Sequence, residues 1–185
     1  MPRLTKLYTG KGDQGTTHLT SGEPVSKDDL RVRAYGSVDE LNSALGVARA
    51  LAPGSTLDGL LGRVQNELFH LGAELSASGK AKQAGPTIEA RHVQALEMEI
   101  DELMGEVGSL DNFVLPTGTP AAAALHLARS ICRRAERELV AVSRREQVPP
   151  AALSYLNRLS DLLFAMALYE NKKRGRSEVY WDSRT

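Results

Sequence analysis

The chain has 185 residues, 42% apolar and 25% charged, which suits one compact domain with a single core and excludes a disordered or membrane-embedded chain. Its 23 Lys plus Arg balance 23 Asp plus Glu, so no global field recruits nucleic acid or an anionic membrane, and any anion site must be local. The opening Met1-Pro2-Arg3-Leu4-Thr5-Lys6 has no apolar signal stretch, so a cytoplasmic protein is expected. The single Cys132 excludes an intrachain disulfide and a cysteine-cluster zinc site.

Residues 1 to about 35 are rich in Thr, Gly, Asp and Lys and show no sustained apolar period, so they read as a structured loop or short irregular strands. Ser37-Val38-Asp39-Glu40 has the form of a capping box, and a first helix is expected from Ser37 until Pro53-Gly54 stops it. A second, over about 57–77, places Leu57, Leu61, Val64, Leu68, Leu71 and Leu75 on one stripe. Residues 79–86 form a polar loop, and a third helix is expected over about 87–107, closed by Gly108. Phe113-Val114-Leu115-Pro116 is an extended connector. Thr119-Pro120 then pairs an N-cap with an N1 proline, opening a fourth helix to about Glu146. A fifth, over about 151–174, follows Pro149-Pro150 and ends at Gly175. These elements predict an all-α five-helix bundle spanning 37–174 in a single domain. The irregular N-terminal segment 1–35 precedes it and a tail, 176–185, follows.

The segment Thr9-Gly10-Lys11-Gly12-Asp13-Gln14-Gly15-Thr16-Thr17 formally contains G-x-G-x-x-G. It lacks the helix start of a dinucleotide fingerprint, and Thr16 stands where a Walker lysine belongs. Two readings remain: a phosphate cradle of backbone N–H groups with Lys11 and Lys27 nearby, or an ordinary glycine-rich turn. Arg129, Arg133 and Arg137 recur every fourth residue and share one helix face. Like charges so spaced repel, which implies carboxylates or a bound polyanion opposite, unless the face is merely solvated. Glu67-Leu68-Phe69-His70 and Glu89-Ala90-Arg91-His92 are both Glu-x-x-His, the pattern of di-metal bundles. Their depths differ: the second helix continues roughly 12 Å past Glu67, whereas Glu89 lies at the start of the third, so core-edge roles are expected instead. Tyr155-Leu156-Asn157-Arg158-Leu159-Ser160-Asp161 puts a dense polar cluster into an apolar helix, as an interhelical network or as a ligand contact from Asn157.

Taken in order, the Gly-rich segment, Lys27-Asp28-Asp29, Gly36-Ser37-Val38-Asp39-Glu40-Leu41-Asn42-Ser43, Phe113-Val114-Leu115-Pro116, Ala128 to Arg137 and Tyr155 to Asp161 resemble the ATP:cob(I)alamin adenosyltransferases (corrinoid adenosyltransferases) of the trimeric five-helix-bundle type. The resemblance spans about Thr5 to Tyr169. It implies transfer of the 5′-deoxyadenosyl group of ATP to the cobalt of reduced cobalamin, releasing triphosphate, with Mg²⁺ held on the ATP phosphates. It assigns Thr9, Gly10, Lys11, Gly12, Thr17, His18 and Lys27 to ATP, joined by Arg133, Arg134, Ala135, Glu136, Arg137 and Asn157 from a neighbouring subunit's fourth helix and its surroundings. By the same likeness Arg133 clamps phosphate, Asp39 and Arg129 pair between subunits beside the active site, and Phe113 closes the lower face of cobalamin. Partners implied are a second and third copy of the chain, a flavoprotein reductase and an adenosylcobalamin-dependent enzyme. An adenosylcobalamin-binding or delivery protein without turnover is the alternative. Where many similar proteins have two glycines after the connector, this chain has Thr117-Gly118.

Overall fold

In the computed structural model the described residues are Tyr8, 10–77 and 85–184. The elements run β1 (Thr16–His18), β2 (Pro24–Ser26), α1 (Leu30–Leu51), α2 (Asp58–Ser76), α3 (Ala90–Val107), α4 (Pro120–Ser143) and α5 (Ala152–Lys173). The strands pair antiparallel with Thr17 opposite Val25, and the Thr20 amide donates to the Ser76 carbonyl at 3.0 Å, which ties the hairpin to the end of α2.

Five amphipathic helices share one core. Leu41 and Leu45, Leu68 and Leu71, Leu96, Leu125 and Leu139, and Leu156 and Leu159 are each at most 1% exposed and come from all five. Full burial of a leucine contributes about 1.5–3 kcal/mol, so this shared interior is what holds the helices together. α1 packs against α2 and α4, and α5 against α4 and α3. Arg63 of α2 meets Glu99 of α3 at 3.1 Å and so closes the ring. No helix among the described residues is long and apolar enough to cross a membrane.

α1 begins at Leu30, seven residues before the expected Ser37, with Asp29 as the N-cap that accepts from the Arg31 amide at 2.8 Å. The bundle therefore starts inside the segment expected to be loop. Ser37 lies within the helix and its hydroxyl donates to Glu138 of α4 instead of capping anything. The early turn of α1 is anchored by Arg31, 3% exposed, whose guanidinium reaches Glu146 and the carbonyls of Leu75 and Ala77. α3, by contrast, starts later than expected, at Ala90: Glu89 is its N-cap, and the Glu89 amide donates to His92 Nδ1 at 2.9 Å. The expected polar loop at 79–86 lies mostly outside the described residues.

Candidate active site

The Gly-rich segment folds as tight turns before β1. Gly10 and Gly15 hold φ of 71° and 81°, a left-handed conformation that side chains resist, and the Gly15 amide donates to the Gly12 carbonyl at 3.2 Å. A Cβ on Gly12 would stand 3.1 Å from Lys27 Nζ, so the glycine leaves room for that ammonium to lie across the turn. Lys27 has no carboxylate partner among the described residues. Thr17 is half-buried in β1 and His18 exposed at its end. Gly10, Lys11, Gly12, Thr17, His18 and Lys27 thus share one hairpin and the turns before it, a cation beside glycine backbone, while Thr9 lies outside the described residues.

On α4 the arginines divide by task. Arg134 is bound to Glu40 of α1. Arg129 is half-buried, its guanidinium 5.4 Å over the ring of Phe164. Arg133 and Arg137 are exposed, Arg137 donates to the Arg133 carbonyl at 3.1 Å, and neither meets a carboxylate among the described residues. Of the alternatives for this face, compensation by carboxylates is absent within the described chain, which leaves a solvated face or a polyanion. Glu136 accepts from Asn157 Nδ2 at 3.0 Å, and Asn157 Oδ1 accepts from Arg158 at 2.7 Å. Asn157 therefore joins α4 to α5 as part of a network. Ala135 is wholly buried, so its side chain packs helices in the core.

Phe113 is 76% exposed, an aromatic ring left at the mouth of a cavity of about 490 Å³. The cavity wall includes Val114, Pro116, His126, Arg129 and Phe164. The C-terminal tail packs on the connector that carries Phe113. Val114 bridges Tyr180, the Trp181 amide donates to the Phe113 carbonyl at 2.8 Å, and the Trp181 ring meets Phe113 edge-on at 6.3 Å. Asn171, fully buried near the end of α5, accepts from the Thr119 amide at 2.9 Å and donates to the Thr117 carbonyl and to Glu178. One side-chain amide thereby holds both the start of α4 and the tail. His126 and Phe164 line the cavity from α4 and α5, and nothing local in the sequence marks them as neighbours of Phe113.

Asp39 is exposed and lines a groove of about 590 Å³ between α1 and α2 with Asn42, Gln65 and Phe69. Arg129 lines the Phe113 cavity, so the two residues occupy different clefts of one chain. The Glu-x-x-His motifs have separate tasks. Glu67 accepts from the buried Tyr155 hydroxyl at 2.8 Å and from Arg63, while Glu89 and His92 cap α3. Cys132 is buried with its thiol donating to the Leu156 carbonyl, and burial pushes its pKa far up, so it serves as a small core residue.

A family model described as cobalamin adenosyltransferase matches residues 7–170. The chain belongs to this family. It is 45% identical over 168 residues to a corrinoid adenosyltransferase of Citrobacter freundii, covering 90% of this chain and 96% of the relative. To the corrinoid adenosyltransferase of Bacillus subtilis it is 42% identical over 181 residues, covering 96% and 92%. A PduO-type ATP:corrinoid adenosyltransferase from Lactobacillus reuteri, a phenylalanine-to-histidine variant solved with cobalamin and ATP, superposes with a TM-score of 0.92 at 36% identity, covering 96% of this chain and 97% of that one. An arginine-to-lysine variant of the same enzyme, solved with ATP, gives 0.89 at 37%, covering 95% and 100%. The cobalamin adenosyltransferase fold thus runs through nearly the whole described chain, from the hairpin to the tail.

Proposed function

We propose that this chain transfers the 5′-deoxyadenosyl group of ATP to the cobalt of reduced cobalamin. Co(I) supplies the electron pair that forms the Co–C bond to the 5′ carbon, the C–O bond to phosphate breaks, and triphosphate leaves with that bond's electrons. The observation that carries the reading is Arg133 with Arg137: two neighbouring guanidinium groups, exposed and without a carboxylate partner among the described residues, in a member of this family. Planar guanidinium groups bond phosphate oxygens two at a time, and their charge stabilises the departing triphosphate.

The chemistry asks little of acids or bases, so the chain's work is positioning and charge neutralisation. Lys27 and the backbone of Gly10 to Gly12 hold phosphate, Thr17 and His18 border it, and Asn157 keeps Glu136 in place beside the arginines. Mg²⁺ would ride on the triphosphate, as it commonly does with nucleotide phosphates, and would neutralise part of its charge. Phe113 covers the lower face of the corrin and keeps an axial ligand from the cobalt, which eases reduction to Co(I).

The hairpin docks at the end of α2, whereas Arg133 and Arg137 stand on the outer face of α4. This separation supports a homotrimer in which one chain's hairpin meets the next chain's α4, with Asp39 and Arg129 paired across that boundary. A flavoprotein reductase would supply Co(I), an adenosylcobalamin-dependent enzyme would receive the product, and all would act in the cytoplasm.

The deciding experiment is anaerobic. Protein, chemically reduced cobalamin, Mg²⁺ and ATP are mixed while adenosylcobalamin is followed by its visible spectrum and triphosphate is assayed. Equal yields of both products are expected. Corrin binding without either product would instead assign delivery without turnover.

A further inference from the structure

The cavity beside Phe113 contains a group that the proposed reaction leaves without a task. His126 is 3% exposed, and its Nε2 has no hydrogen-bond partner among the described residues. Buried polar atoms are nearly always satisfied, so an orphan in a cavity wall points to what enters the cavity. The imidazole lies 5.8 Å from the Phe164 ring, centroid to centroid, and Arg129 stacks on that same ring. Burial and the charge of Arg129 both pull the pKa of His126 down, which keeps the ring neutral near pH 7 and its nitrogens open to one donor and one acceptor role. The amide of Asn112, on the same wall, is already committed: its oxygen accepts from the Phe113 amide and its nitrogen donates to the Trp181 carbonyl. Phe113, Val114, Pro116 and Phe164 are apolar.

A corrin suits such a wall, having an apolar macrocycle with a rim of side chains that end in carboxamides. We infer that His126 is a substrate-binding residue whose Nε2 hydrogen-bonds a carboxamide at the rim of the corrin seated against Phe113. The inference rests on the adenosyltransferase reading above and adds to it the group that fixes the corrin's rotation in the cavity. A neutral imidazole matches a carboxamide in either direction, as acceptor from its NH₂ or donor to its oxygen.

Two variants test it, read by anaerobic titration with cob(II)alamin and, separately, with ATP. His126→Phe keeps a flat ring against Phe164 and removes Nε2. It should weaken cob(II)alamin binding about tenfold, the factor one hydrogen bond carries, with ATP affinity and thermal unfolding unchanged. His126→Gln, whose amide reaches a similar point, should recover part of that loss. In turnover the KM for the corrin should rise while kcat holds. Unaltered cob(II)alamin affinity in His126→Phe would overturn the inference, as would an equal loss of ATP binding, which marks a structural role. Wild-type protein that bound no cob(II)alamin would overturn the adenosyltransferase reading, and this inference with it.

Discussion

Arg133 and Arg137 sit one turn apart at the surface of α4, while Arg134 and Arg129 beside them are engaged by Glu40 and Phe164. Arg133 and Arg137 are the two of the four that could meet a triphosphate without first giving up a carboxylate or a ring. Arg133→Ala should therefore lower kcat/KM for ATP by roughly 10–100-fold, the range of one charge-assisted contact, and leave the helical circular dichroism intact. An unchanged rate would take Arg133 out of the site. Phe113, already 76% exposed, gives up little packing when truncated. Phe113→Ala should slow formation of Co(I) from bound cob(II)alamin without altering ATP affinity, and normal reduction would end its assigned role. Gly12, Lys27, Arg133 and Phe113 lie in short motifs, so the family resemblance could assign them roles from consecutive letters. His126 and Phe164 meet across α4 and α5 while Trp181 reaches Phe113 from the tail, and no local pattern encodes either meeting.

The four later helices start and stop within a few residues of expectation, because proline, glycine and the apolar period punctuate them sharply. α1 did not follow its apparent signal. A capping box works only if the chain before it is non-helical, and Leu30 to Gly36 is helical because Asp29 caps it and Arg31 finds buried partners. Sequence spacing cannot reveal that a buried arginine will be satisfied by the end of α2 and by Glu146. Gly118 shows the same dependence on distant partners. Its φ is 117°, and a Cβ there would fall 2.0 Å from Asn171 Oδ1, so of Thr117-Gly118 the second position admits only glycine. Gly118→Ala combines backbone strain with overpacking against a fully buried amide and should cost about 2–4 kcal/mol in denaturant unfolding. Stability within about 0.5 kcal/mol of wild type would mean that the connector shifts freely.

At the level of the whole molecule, the groups proposed to hold ATP lie on two elements: the hairpin tied to the end of α2, and the exposed face of α4. Asp39 and Arg129 line different clefts of the same chain. The proposed homotrimer would unite them. Arg129→Trp removes one charge of the expected pair and crowds the Phe164 stack. If the proposed homotrimer forms, it should shift mass toward smaller species in light scattering and reduce turnover in parallel, whereas wild-type mass and activity would dismiss the pairing.

Trp181 is the chain's only tryptophan, and the tail sets it edge-on against Phe113. Its indole is therefore an optical antenna beside the ring proposed to cover the corrin, and corrins absorb across the range in which tryptophan emits. Arrival and departure of cobalamin can be timed by that emission in the unlabelled protein, with no dye attached and no second tryptophan to subtract.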